Sequence, residues 1–166
     1  MFTLANPIYT IRSPKNKEEW DVVKKLLLDY RHEFNDDTCF TSFEEEMANI
    51  EQYYAGEDML KLIAVANKDG AIAGCVALKK FAPGVVEMKR LYVDPLYRGH
   101  HLGRSLVEAL IIHANKKGYH KMILDTMVEM KAAQHLYHQL GFSIIAPYNH
   151  QDTAKLICFE MNLNPE

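Results

Sequence analysis

Cysteine is scarce in this 166-residue sequence. Cys39, Cys75 and Cys158 are far apart and odd in number, which argues against a disulfide framework and against the paired spacing of a zinc finger. All three are expected to behave as small apolar groups in a reducing cytosol. Long apolar runs are missing as well. No stretch approaches the ~20 apolar residues of a membrane span. The opening Met1-Phe2-Thr3-Leu4-Ala5-Asn6-Pro7 has no basic segment before an apolar run, so it does not read as a signal peptide. These absences predict a cytoplasmic protein with no membrane partner. An excess of one charge is also lacking. The formal net charge is -3, so no global basic field recruits nucleic acid. Repeats, low-complexity tracts and linkers are absent, and a single domain over residues 1–166 is expected.

What is present is ordinary globular material, 48% hydrophobic and 25% charged. Residues 7–12 alternate weakly and suggest a first strand. From Glu18 to about Phe34, Trp20, Val23, Leu26, Leu27 and Tyr30 recur at helical spacing, with Asn16 placed to cap. Thr41-Ser42-Phe43-Glu44-Glu45 reads as the start of a second helix running to about Tyr54. Met59–Ala66 and Ala71–Phe81 read as strands joined by Asn67-Lys68-Asp69-Gly70, whose Asp-Gly step favours a hairpin. Val85–Val93 is a third strand, stopped by Asp94-Pro95. A helix follows from about Gly103 to Lys117 with Gly118 as its C-cap. Then come a strand over Met122–Thr126, a helix over Met130–Leu140, and strands over Phe142–Ile145 and Lys155–Met161. The order is β-α-α-β-β-β-α-β-α-β-β, an α/β domain around one mixed sheet.

The stretch from Leu91 to Leu106 carries the most chemistry. Its layout is strand, stop, small-residue loop, helix start. A helix N-terminus presents unpaired N–H groups and partial positive charge, and glycines let that backbone come close to an anion. The pair suits a pyrophosphate. Arg98 and Arg104 either add charge or are simply solvated. No Gly-Lys-Ser/Thr follows, so this is not a Walker loop, and the glycine spacing is wrong for a dinucleotide fingerprint.

Arg98-Gly99-His100-His101-Leu102-Gly103 is similar to the coenzyme A motif of the GNAT superfamily of N-acetyltransferases, Arg/Gln-x-x-Gly-x-Gly/Ala. It follows a strand end of the Leu-x-Val-x-Pro type, here Leu91, Val93 and Pro95. His101 stands where that family usually has glycine, and His is among the residues that tolerate a positive φ. Ala133-Gln134-His135-Leu136-Tyr137-His138-Gln139-Leu140-Gly141-Phe142 resembles the later motif, Ala-x-x-Leu-Tyr-x-x-x-Gly-Phe. Met130 takes the position, seven before the tyrosine, where much of the family has asparagine. The resemblance covers about residues 59–161 and implies the GNAT acyl-CoA N-acyltransferase fold.

The resemblance implies an acetyltransferase that carries acetyl from acetyl-CoA to a primary amine by direct attack, without a metal. The acceptor is a small or amino-acid-like amine, with a protein N-terminus or lysine as the alternative. A bulge would splay the third strand, so that Leu91, Tyr92 and Val93 hold the pantetheine arm and thioester. Residues Arg98, Gly99, His100, His101, Leu102, Gly103, Arg104 and Ser105 would hold the pyrophosphate. Tyr137 is the general acid or a positioning group. Glu87, four before Leu91, is a base or a strand carboxylate paired with Lys89 or Arg90; the two share a face if the strand is regular. Asp125 and Thr126 touch the acceptor or cap the next turn. Tyr30, with Arg31 and His32, belongs to the helices expected to wall the acceptor site. His135 and His138 are three apart, but no third ligand is in register for a metal. A non-catalytic acyl-CoA-binding module is the other class of reading, favoured by His101 and Met130 and opposed by Glu87 and Tyr137. Pairing into a homodimer is an arrangement the family admits.

Overall fold

A computed structural model describes residues 2–35, 37–38, 40–149 and 154–165. Its frame is one eight-stranded sheet, β1 to β8, with strand order β1-β2-β3-β4-β5-β6-β8-β7. The chain runs β1 (Thr3–Ala5), β2 (Tyr9–Arg12), α1 (Lys17–Phe34), α2 (Phe43–Ala48), α3 (Ile50–Tyr53), β3 (Met59–Ala66), β4 (Ile72–Ala82) and β5 (Val85–Val93). It continues through a 3₁₀ turn (Pro95–Tyr97), α4 (Leu102–Lys116), β6 (Lys121–Met127), α5 (Lys131–Leu140), β7 (Ser143–Ile145) and β8 (Leu156–Asn162). Among the described residues, no helix is long and apolar enough to cross a membrane. Cys39 lies outside the described residues.

Two expectations for the N-terminal third are corrected. The strand expected over residues 7–12 is Tyr9–Arg12 and is the second, with β1 preceding it in a hairpin. Asn6 makes that turn by accepting the N–H groups of Ile8 and Tyr9. All three residues of β1 are exposed, so no inward-outward alternation marked it in the sequence. The single helix expected to run to Tyr54 is two, because Asn49 leaves the helical region at φ -152° and its side chain caps α3 through the Gln52 N–H. α1 forms as its pattern requires. Asn16 accepts the Glu19 N–H at 2.9 Å, Glu18 and Glu19 sit in the first turn, and Arg31 and His32 in the last.

The sheet has two antiparallel halves, β1–β5 and β6-β8-β7. They meet in parallel at Val85–Glu87 against Lys121–Ile123. Past Glu87 and Ile123 the two strands part. α4 and α5 cover one face, where Leu102, Leu106, Leu110 and Tyr137 join Val86, Met88, Met122 and Phe159 in the larger core. The three N-terminal helices cover the other, with Trp20, Leu27 and Phe43 against Ile63, Cys75 and Tyr92. The site opens where β5 and β6 separate, between these two cores.

Candidate active site

The β5 strand is irregular where it leaves β6. Cys75 pairs with Tyr92 and Ala77 with Lys89, so one strand advances two residues while the other advances three. The extra residue falls at Arg90, which sits at φ +59°. Sequence reasoning expected such a bulge only from the resemblance and did not identify what holds it. Arg90 is buried, donates from Nε to Glu46 at 2.8 Å and from NH2 to the Thr41 carbonyl at 3.0 Å, and lies over Phe40 and Phe43. α2 thus clamps the bulge. On the far side Gly74 gives room: a Cβ there would stand 2.8 Å from the Tyr92 carbonyl oxygen.

The bulge also corrects the face shared by Glu87 and Leu91. Val86, Met88, Leu91 and Val93 all pack with the α4–α5 core. Alternation across a strand therefore sends Glu87 the other way, and the extra residue turns Leu91 back.

Between the parted strands lies a cleft of about 490 Å³. Met88 to Val93 form one wall, Asp125, Thr126 and Met130 the other, with Tyr30 and Phe34 at one face and Leu136 and Tyr137 at the opposite one. Tyr137 is buried and packs edge-on against Phe142 and Phe159 at 5.7 and 5.6 Å. Tyr30 stacks on Tyr92 at 5.0 Å. Phe34 was missed, since its position on α1 differs in no sequence feature from its apolar neighbours. Met130 is held in place of the expected asparagine by sulfur contacts: Thr126 Oγ1 donates to its Sδ at 3.3 Å and Tyr30 Oη at 3.8 Å.

The cleft continues into a second hollow of about 520 Å³ at the start of α4, sharing Val93, Arg98, Gly103 and Leu136 with it. Gly99 and His101 adopt φ +89° and +58°, so His101 keeps the left-handed geometry that glycine would take. No side chain caps α4, and the Ser105 N–H already reaches the His101 carbonyl. The four N–H groups from His101 to Arg104 therefore have no helical acceptor. Gly99, His101, Leu102, Gly103 and Arg104 line this hollow, which suits a pyrophosphate on chemical grounds. His100 is exposed and outside it, and Ser105 Oγ donates to the His101 carbonyl at 3.3 Å. Arg104 pairs with Glu108. Arg98 donates from Nε to the Val93 carbonyl and forks onto Glu33 of α1 at 2.9 and 2.8 Å. Tyr92 donates to the same carboxylate at 2.8 Å. Arg98 draws the Glu33 carboxyl below the usual range.

Glu87 stands outside the central cleft, in a third cavity of about 580 Å³ that also contains Lys79, Lys89, Tyr148 and Asn149. It is only 6% exposed, accepts from Tyr148 Oη at 2.7 Å, and has Lys89 Nζ 3.7 Å from its other oxygen. Arg90, its other sequence-suggested partner, goes to Glu46 instead. Asn149 Nδ2 donates to Asp125 at 2.6 Å, which links this cavity to the cleft. Burial lifts the Asp125 carboxyl, with Lys89 opposing. Arg31 and His32 point elsewhere: Arg31 pairs with Asp37 and Glu44, and His32 lines a separate surface hollow. Among the described residues no group of three or more His, Cys, Asp or Glu could hold a metal.

Comparison with known proteins agrees with this geometry. Residues 20–142 match the Acetyltransferase (GNAT) family. An uncharacterised N-acetyltransferase of Schizosaccharomyces pombe is 35% identical over 156 residues, which span 93% of this chain and 95% of that protein. The human N-acetylaspartate synthetase is 34% identical over 110 residues, 63% of this chain and 35% of its own length. Among solved structures, an acyl-CoA N-acyltransferase from Klebsiella pneumoniae superposes with a TM-score of 0.70 at 27% identity, over 95% of this chain and 99% of that one. An acetyltransferase from Streptococcus agalactiae reaches 0.79 at 20% identity, over 95% and 100%. With the bulged strand, the parted sheet and the open helix N-terminus on one cleft, the chain belongs to the GNAT family and is an N-acetyltransferase.

Proposed function

We propose that this enzyme transfers acetyl from acetyl-CoA to the primary amine of a small, amino-acid-like acceptor by direct attack. The observation that carries the reading is the continuous path from the four unpaired N–H groups of α4, along β5, to Tyr137 and the Asp125 wall. His101 to Arg104 would hold the pyrophosphate through backbone N–H groups rather than through Arg98, whose guanidinium is already engaged. The backbone of Leu91, Tyr92 and Val93 would bind the pantetheine arm and polarise the thioester carbonyl. Removing one such donor costs about 10²–10³ in rate in enzymes of this kind.

The thioester supplies an activated acetyl group. The amine must reach it neutral, having shed one proton to solvent. Its nitrogen then bonds to the carbonyl carbon, the carbon–sulfur bond breaks, the nitrogen sheds a second proton and the sulfur takes one. Tyr137 gives that proton and is reprotonated from the cleft. Glu87 accepts from Tyr148 and lies 3.7 Å from Lys89, which supports a paired strand carboxylate rather than a base.

The test is release of free thiol from acetyl-CoA across a panel of amines, with Tyr137→Phe alongside. Turnover with the wild type and a loss of roughly 10²-fold in kcat for the variant, with acetyl-CoA affinity retained, is expected. A variant within a few-fold of wild type would remove the acid role. Tight acetyl-CoA binding with no amine, peptide or polyamine acetylated would overturn the transfer itself.

A further inference from the structure

Beside the central cleft, the third cavity carries groups of both signs and one polar atom with nothing to bind. Asn149 spends its Nδ2 on Asp125, while its Oδ1 is buried without a hydrogen-bond partner. A buried carbonyl oxygen left so destabilises the fold unless something donates to it. Asn149 lines the third cavity, and its hydrogen-bonded partner Asp125 lines the central cleft. An amine N–H is the donor that such a pair of acceptors suits. The rest of the cavity is cationic. Lys89 contacts Glu87 at 3.7 Å and reaches Thr41 Oγ1 at 3.4 Å, and Lys79 faces Glu87 across the β4–β5 register. Tyr148 already occupies one oxygen of Glu87, and burial holds its phenol far above the ordinary range, so it stays a donor at every working pH. Lys80, the third lysine on the lining, pairs with Asp58, so Lys79 and Lys89 stand against one hydrogen-bonded carboxylate and leave positive charge unspent.

We propose that this cavity receives an acceptor carrying both a primary amine and a carboxylate, its amine held by Asn149 Oδ1 and Asp125 and its carboxylate by Lys89 with Lys79. The inference rests on the acetyl-transfer reading and narrows its acceptor to an amino carboxylate.

The experiment compares matched acceptors in thiol release by the full chain: amino acids, their carboxamides, and alkyl amines or polyamines without a carboxylate. The amino acid is expected to exceed its own carboxamide by about 10–100-fold in kcat/KM, the worth of a hydrogen-bonded charge. Lys89→Gln should bring the two to near parity while its melting temperature stays at the wild-type value. If that variant does not fold, inhibition of the wild type serves instead: a carboxylic acid lacking the amine should compete with the acceptor, and its amide should not. Carboxamides, peptides or polyamines used as well as amino acids, a preference that survives Lys89→Gln, or no competition by the acid would each overturn the assignment and leave acetyl transfer standing. Failure of every amine to turn over would instead overturn the transfer reading, and this assignment with it.

Discussion

Arg98 meets a carboxylate before it meets any phosphate. Both of its terminal nitrogens and the Tyr92 hydroxyl converge on Glu33. The residue that opens the motif is therefore a strut between the loop and α1. Hydrogen bonding from Arg98 holds the Glu33 carboxyl below its ordinary value. A carboxylate depressed in the folded state contributes stability above its unfolded pKa of about 4.3 and loses it as pH falls through the lower folded value. Glu33→Gln should thus melt below wild type at pH 7, by no more than about 1 kcal/mol because the pair is partly exposed. The gap should close in strongly acidic buffer, and a gap that persists there would refute the strut. Arg98 was legible because it opens a motif. Glu33 was not, because it lies 65 residues away on a helix whose pattern marks only its apolar face.

At the scale of elements, β3 and β5 have the bounds their composition indicates, and α1, α4 and α5 fall within a residue of theirs. Apolar content and glycine stops define such segments locally. The bulge could not be read that way. It depends on Glu46 from α2, 44 residues before Arg90, and on an empty volume at Gly74 in the neighbouring strand. The face of Glu87 relative to Leu91 depended on the strand being regular, and that long-range clamp makes it irregular. Gly74 is the place to test it. A methyl group 2.8 Å from the Tyr92 carbonyl must push β5 from β4, and overpacking of this kind costs about 1–3 kcal/mol. Gly74→Ala should lower the denaturation midpoint accordingly and weaken acetyl-CoA binding, since Tyr92 lines the cleft. Gly56→Ala, whose Cβ would find its nearest atom at 3.7 Å, serves as the control and should leave both unchanged. Equal effects from the two would deny Gly74 its part in shaping the cleft.

Across the whole molecule the sheet separates two cores of different character. The α4–α5 side is built from Leu102, Leu106, Leu110, Met122 and Phe159, with Tyr9 and Tyr137. The α1–α3 side encloses Glu46, Arg90 and Lys61 among Trp20, Phe40 and Phe43. Glu46 accepts from both Arg90 and Tyr54, so its charge is met. Lys61 is 2% exposed and lies over the Tyr54 ring, and its Nζ has no oxygen acceptor, turning to the Cys75 sulfur instead. Burial therefore lowers its pKa, with the Cys75 thiol and Glu46 opposing. Between that lowered value and the unfolded value of about 10.4, the unfolded chain binds more protons, so stability attributable to Lys61 rises with pH across this window. Below the window the full cost of burying the ammonium is borne. Lys61→Met, of similar length and without the charge, should melt above wild type at pH 7 by an amount of order 1–3 kcal/mol, the cost of an unpaired buried polar group. The advantage should shrink as pH climbs through this window and be lost above about 10.4, where wild-type Lys61 is neutral in both states. If the variant melts below wild type at pH 7, the ammonium is a net anchor for Glu46, and the α1–α3 core is held by charge as well as by its aromatic rings.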